Sequence, residues 1–466
     1  MGGGFVQRLS YVLKEGGYYS HGRGNHFPMT SQEKHANRSL DCDVIVIGGG
    51  PAGTTAATEL ARRGRSVQLF EKSRHPRFHI GESLLPMNIP ILERLGVLEE
   101  VDRIGVRKPA ADFPADNERG FNVFDFSKSL ERLPGYAYQV KREQFDEILF
   151  RNTQRAGVST YENTEVVSAT TSGDSASVTV RDSGGQTREV RAKYLIDASG
   201  RDTFLGSALK LKMRHAQHRS AAIFAHFTGV QRRAAPWAGN ISIYRFGEGA
   251  GRGWIWLIPL TDDVTSIGAV LPPEQMKQRT GSLEDFLMGI LHSVPALEAR
   301  MLNAKLHGNL EATGNYSYEC REHSGPRWIM AGDSSAFVDP VFSSGVYLAM
   351  HSATRVAELV DAVLSGARER PLQRAYEREI RAGLEEFTWF IVRFTTPALA
   401  WLFANPRNVL RVEEAMVSML SGHVFEARKT LRRLRIFKAL YYLTSLFMWR
   451  DTLKFRRELR ASERAA

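Results

Sequence analysis

The chain reads as an α/β protein of mixed α+β type, with a nucleotide-binding front, a middle segment of strands and a helical C-terminal region. Three observations carry that reading. An apolar strand runs into a glycine turn and an alanine-rich helix just after Asp41. Short apolar runs alternate with polar turns between residues 217 and 318, and apolar residues recur at helical spacing beyond residue 366. With 466 residues, 43% hydrophobic and 24% charged, there is material for two or three domains around one or two cores.

Residues 1–40 are rich in Gly, His and polar side chains and lack a sustained apolar period. They have no long apolar run followed by a small-residue cleavage site, so a disordered leader is expected, with Met29 as the natural start. From Asp41 the character changes. "DCDVIVIGGGPAGTTAATELARRGRSVQLFEK" is a strand, a turn, a helix stopped at Gly64, and a second strand ending at Glu71 and Lys72. Gly48 permits the tight turn, Gly50 lets backbone approach a pyrophosphate, and Gly53 permits close helix packing, with Ala52 beside it in the first turn. The helix start supplies free N–H groups to phosphates. Glu71, 18 residues past Gly53, is placed to accept from a ribose. In this strand–turn–helix–strand context the motif predicts a dinucleotide site.

Three later segments extend it. "VKREQFDEILF" puts Arg142 at a helix start. "KYLIDASGR" is an apolar strand ending in the turn Asp197 to Arg201, with Gly200 inside it. "RWIMAGDSSAFVDPVFSSGVYLAM" is a strand followed by Gly332 and Asp333, a turn at Pro340, and a helix start at Gly345 and Val346. That order resembles the FAD-dependent monooxygenases of the p-hydroxybenzoate hydroxylase fold. The resemblance implies FAD, with Asp333 holding the ribityl chain and the Gly345–Val346 helix start facing the flavin pyrimidine. It adds Ala52, Lys72, Asp197, Gly200, Arg201, Gly332 and Pro340 to the cofactor set. The implied FAD-binding domain covers 41–216 and 319–365, with a substrate-side insertion at about 106–140. A sheet at 217–318 roofs the flavin, and residues 366–466 form a helical region.

The stretch "GWIWLIPL" alternates Trp254, Trp256 and Ile258, the period of a half-buried strand that Pro259 ends. Within a flavin fold it also matches WxWxIP, the signature of flavin-dependent halogenases, which this chain therefore resembles. The resemblance implies that the tryptophans keep organic substrate away from the flavin. "GESLLP", carrying Glu82 and Ser83, resembles the branch acting on phenols and pyrroles. That branch also keeps a lysine in a KxGAxF-like stretch; here it is Lys108, with Ala110 in the glycine's place and Phe113 after it. Arg107 cannot substitute, because a guanidinium stays protonated. In tryptophan halogenases a glutamate stands where this chain has Phe342, and Ser344 and Gly345 match the pair that binds halide.

The implied chemistry needs FAD as FADH2, O2 and chloride or bromide, with no metal. Its partners are a separate NAD(P)H-dependent flavin reductase and a small aromatic substrate, free or on an acyl or peptidyl carrier protein. Three rival readings are a ring hydroxylase on the same fold, a geranylgeranyl-type reductase, and a flavin-binding interaction module. Cys42 and Cys320 give no disulfide framework and no metal-ligand spacing, so a cytoplasmic setting is expected. No run of about 18 uncharged apolar residues predicts a transmembrane helix. Net charge is +11, and the segment 401–466 holds 14 Lys/Arg against 6 Asp/Glu. "ARKTLRRLRIFKAL" reads as a cationic amphipathic helix suited to an acidic partner or an anionic surface. No nucleic-acid motif accompanies the charge.

Overall fold

The computed structural model describes residues 39–115, 120–214, 220–248, 252–314, 317–425 and 427–465. All of the predicted leader except residues 39 and 40 lies outside them. Parallel strands build the nucleotide-binding unit in the order Ser159–Tyr161, Val67–Phe70, Cys42–Ile47, Thr187–Asp197, Trp328–Met330. The long strand Thr187–Asp197 serves two neighbours. Its second half pairs in parallel with Cys42–Ile47, while its first half pairs antiparallel with Ser175–Arg181, half of a hairpin. The strands are apolar on both faces because both are covered: helices pack on one, and Val166, Val178, Val180, Leu205 and Leu211 pack on the other. Helix Pro51–Arg62 lies against Gly345–Leu364 and Arg142–Arg155, and residues of all three join one core.

The middle of the chain forms a separate seven-stranded sheet. Its strands are not confined to 217–318. Ala110–Pro114 and Phe121–Asp125, from the predicted insertion, complete one edge. A buried carboxylate explains the join: Asp112 accepts from Asn240 Nδ2 at 2.7 Å and pairs with Arg233 at 2.7 Å. Part of the predicted insertion therefore belongs to this sheet.

The strand Gly253–Pro259 is not half-buried. Every residue in it is buried, which corrects the reading from alternation. Trp254, Trp256 and Ile258 face the large core, whereas Ile255 and Leu257 pack with Leu287, Leu291 and Leu297 beneath a second helical layer. Alternation predicted two distinct faces but not what covers the second one.

Beyond residue 366 the chain is helical: Glu369–Ile391, Pro397–Ala404, Val412–Leu420, Arg428–Phe447 and Trp449–Ala465. Arg393 falls in the break between the first two, and Pro397 opens the second at a first-turn position where its missing N–H costs nothing. Leu410 and Arg411, both left-handed at φ +53° and +60°, mark the sharp turn into Val412–Leu420. No helix among the described residues is long and apolar enough to cross a membrane.

Candidate active site

A cavity of about 710 Å³ opens where the parallel strands end. Ile47, Phe70, Ala198 and Ala331, each at or just past the C-terminal end of a strand, line it, the usual place for a ligand in an open α/β sheet.

The glycine loop forms one wall. Gly48 has φ +99°, and a Cβ there would stand 2.4 Å from Ala198 O. A Cβ on Gly53 would stand 1.9 Å from Gly48 O, so the fold itself demands both glycines. Gly50 differs: its φ is −79°, and the nearest atom to an added Cβ is Arg77 Nη2 at 3.6 Å. Backbone strain does not require glycine at Gly50; open space above a helix N-terminus suits a pyrophosphate. Glu71 braces the loop, accepting from Gly49 N–H at 2.7 Å and Ser73 N–H at 2.9 Å.

Beside it runs a charged row. Arg142 donates twice to Asp146, at 2.9 and 3.0 Å, and to Ile80 O at 2.6 Å. Arg77 reaches Glu71 at 3.5 Å and Asp146 at 3.6 Å. Burial would push the Asp146 carboxyl up, but Arg142 and Arg77 together hold it below the usual carboxylate range. Asp333 lacks such a clamp; burial pushes it up to about 6, against the pull of Arg142 and Arg201. A desolvated carboxyl on a cavity wall fits polyol hydroxyls, which donate to it. The open space at Gly50, the cationic row and Asp333 together fit FAD.

Gly48, Gly50, Ala52, Glu71, Lys72, Glu82, Ser83, Arg142, Gly200, Arg201, Asp333, Gly345 and Val346 all line this cavity. Lys72 pairs with Asp202, and Arg201 donates to Thr313 Oγ1 at 2.7 Å. Three predicted cofactor residues are not in the lining. Gly53 is spent on helix packing. Asp197 is fully buried, accepting from the N–H groups of Ser199 and Leu205 at 2.9 and 2.7 Å, so it shapes the turn that carries Gly200. Gly332, at φ +64°, lies under Ala349 and donates to Ser352 Oγ. Pro340 begins a short turn, Pro340–Phe342, that precedes the helix start in sequence.

Trp254, Trp256 and Ile258 line the same cavity from the sheet side, and Pro259 does not. The tryptophan rings lie 5.8 Å apart, and Trp256 Nε1 donates to Ser266 Oγ at 3.1 Å. Trp256 sits over Gly268 of the next strand, where any Cβ would meet its ring at 2.2 Å.

Lys108 ends the strand Val106–Lys108. Its side chain is among the largest fully buried ones in the protein. Nζ donates to Ser83 Oγ at 2.8 Å and Leu84 O at 2.9 Å, and stands 5.4 Å from the centroid of the Phe126 ring. Ser83 also lines the cavity, so one hydroxyl separates the amine from it. Desolvation pushes the amine down from 10.5 to about 7. Arg107, next in sequence, points out to Asp102 and stays half-exposed.

Ser344 is the residue before helix Gly345–Leu364 and uses no side-chain cap, so its first-turn N–H groups need other acceptors. The neighbouring Ser343, left-handed at φ +58°, lines the cavity. Phe342 is buried in an aromatic cluster with Phe113, Phe394 and Phe403. Sequence reasoning missed Ser343 and Arg77. It also missed the pairing of Glu82 with His226 at 2.6 Å, which outweighs burial and raises that imidazole's pKa. Arg77 stands just ahead of the GESLLP stretch in sequence; His226, on a remote strand, carried no signal. No cluster of three or more His, Cys, Asp or Glu able to hold a metal lies among the described residues.

The fold and cavity define a flavoprotein, and the family described as FAD binding domain matches residues 41–390. The chain is 37% identical to the tryptophan 2-halogenase of Chondromyces crocatus, over 69% of this chain and 62% of that one, so it spans less than two thirds of that relative's length. It is 28% identical to the 1H-pyrrole-2-carbonyl-[peptidyl-carrier protein] chlorinase of Pseudomonas fluorescens, over 84% of this chain and 91% of that one. Among solved structures, the myxobacterial chondrochloren halogenase superposes with a TM-score of 0.72 at 31% identity, covering 88% of this chain and 99% of that one. The chain belongs to the flavin-dependent halogenases of the FAD-binding superfamily.

Proposed function

We propose that this protein halogenates an electron-rich phenolic or pyrrolic ring, with Lys108 presenting the halogen, and that the ring arrives tethered to a carrier protein. The observation that carries the proposal is the burial of Lys108. An amine with a pKa near 7, held by two oxygens beside an aromatic ring, is partly neutral at working pH and therefore nucleophilic.

Bound FADH2 would supply, with O2, the oxidation of chloride or bromide to hypohalous acid, the reduced flavin coming from a separate NAD(P)H-dependent reductase. Gly48, Gly50, Arg142 and Asp333 would hold the cofactor. The first-turn N–H groups after Ser344 would attract halide, since helix starts favour anions. Trp254 and Trp256 would exclude the ring from the flavin. Ser83 and Leu84 O would aim the Lys108 amine. Phe342, in place of an acid, would leave activation to the substrate's own hydroxyl or pyrrole nitrogen. The pyrrole-carrier chlorinase among the relatives supports a tethered substrate.

The test is Lys108→Met, assayed with FAD, a flavin reductase, NADH and halide on phenols and pyrroles, free and carrier-bound. Halogenated product should fall by at least about a thousandfold, a loss of roughly 4 kcal/mol of transition-state stabilisation, while FAD occupancy and oxygen uptake persist. Mass spectrometry reads the product by its halogen isotope pattern. Unchanged halogenation would remove Lys108 from the chemistry, and equal turnover of free and tethered rings would remove the carrier.

The same variant tests the burial itself. Between about pH 7 and pH 10.5 the unfolded chain holds a proton on Lys108 that the folded chain has lost. Stability from this group therefore rises with pH across that window. Denaturant titrations of wild type minus Lys108→Met should show that positive slope. A flat difference would mean the amine is not desolvated.

A further inference from the structure

We infer that the corner between the last two helices is a docking surface for anionic lipid. The helices Arg428–Phe447 and Trp449–Ala465 meet at Met448. Around that corner the apolar side chains point outward: Leu443 is 63% exposed, Leu446 71%, Phe447 89% and Trp449 52%. Of the 15 exposed large hydrophobics among the described residues, 10 lie beyond residue 400, so the apolar surface of the protein is concentrated in the tail. Isolated exposed leucines need no explanation, but a cluster does.

The charges around it narrow the occupant. Residues 428–457 hold 10 Lys/Arg and one acid, Asp451. Arg450 lies over the Trp449 ring at 5.4 Å. Such a field repels a second copy of the same surface. A side chain exposed to 89% has almost no protein around it, so the patch is a protrusion, whereas protein partners are gripped best in fully desolvated pockets. A cationic, aromatic-tipped protrusion is built for the boundary between headgroups and acyl chains, where Trp and Phe enter and Lys and Arg meet lipid phosphate. This surface lies outside the flavin cavity lining and does not depend on Lys108.

The experiment is flotation of the whole protein with phosphatidylcholine vesicles, with and without phosphatidylglycerol. The protein should float with the anionic vesicles only, and high salt should release it. The pair Leu446→Glu and Phe447→Glu should lower the partition coefficient about tenfold or more, with FAD occupancy unchanged as proof of folding. Three results would overturn the inference. They are no flotation with phosphatidylglycerol, flotation unaffected by the double variant, and a concentration-dependent dimer of wild type that the double variant abolishes.

Discussion

Two helix starts face the cavity, and they treat glycine differently. At the front of Pro51–Arg62 stand Gly48 and Gly53, whose missing side chains are filled by the protein's own backbone. At the front of Gly345–Leu364 stands Gly345, which has no protein atom within 4 Å of an added Cβ. Gly50 belongs in sequence to the first group and in environment to the second. Glycines that the fold needs are thereby separated from those left open toward a ligand.

The comparison breaks most visibly at Gly53. Gly53→Ala puts a methyl 1.9 Å from backbone, which no rotamer relieves, so the helix must leave the strand. Overpacking against rigid backbone costs about 3 kcal/mol or more, and the variant should unfold at markedly lower denaturant or fail to accumulate. A normal denaturation midpoint would refute the packing role.

Gly50→Val is expected to fold with wild-type stability, within about 1 kcal/mol, yet retain almost no FAD after desalting. Retained flavin would mean that the open space above this helix start is not where the pyrophosphate lies. The mildest change, Gly345→Ala, should leave both folding and FAD occupancy intact and raise the halide KM by about tenfold, or about 1.4 kcal/mol. An unaltered halide KM would move the anion elsewhere, with Ser343 the next position to probe.

Much of the front half could be read from local spacing, because its chemistry is local. The glycine turn, Glu71 and the Arg142 helix start depend on neighbours within a few residues, and Gly48, Gly50, Glu71 and Arg142 line the cavity. Lys108 was legible only through resemblance; its burial depends on Ser83, Leu84 and Phe126, distant segments that no period links to it. The same limit hid the Asp197 role. An aspartate at a strand end looks like a ligand, but here two backbone N–H groups use both of its oxygens. The place of the 110–125 hairpin in the middle sheet was hidden for a related reason. The Asp112 contacts that pull the 110–125 hairpin into it span more than 100 residues of sequence.

The strand Gly253–Pro259 carries alternate side chains into two separate cores. A change of volume under Ile255 or Leu257, among helices with no view of the flavin, will tilt the same backbone that sets Trp254 and Trp256. Gly268 offers a shorter lever, since any side chain there must push the Trp256 ring aside. The shape of the cavity wall thus depends on the packing of the core behind it. Mutations that never touch the cavity can therefore reshape its wall, and a search confined to lining residues would overlook them.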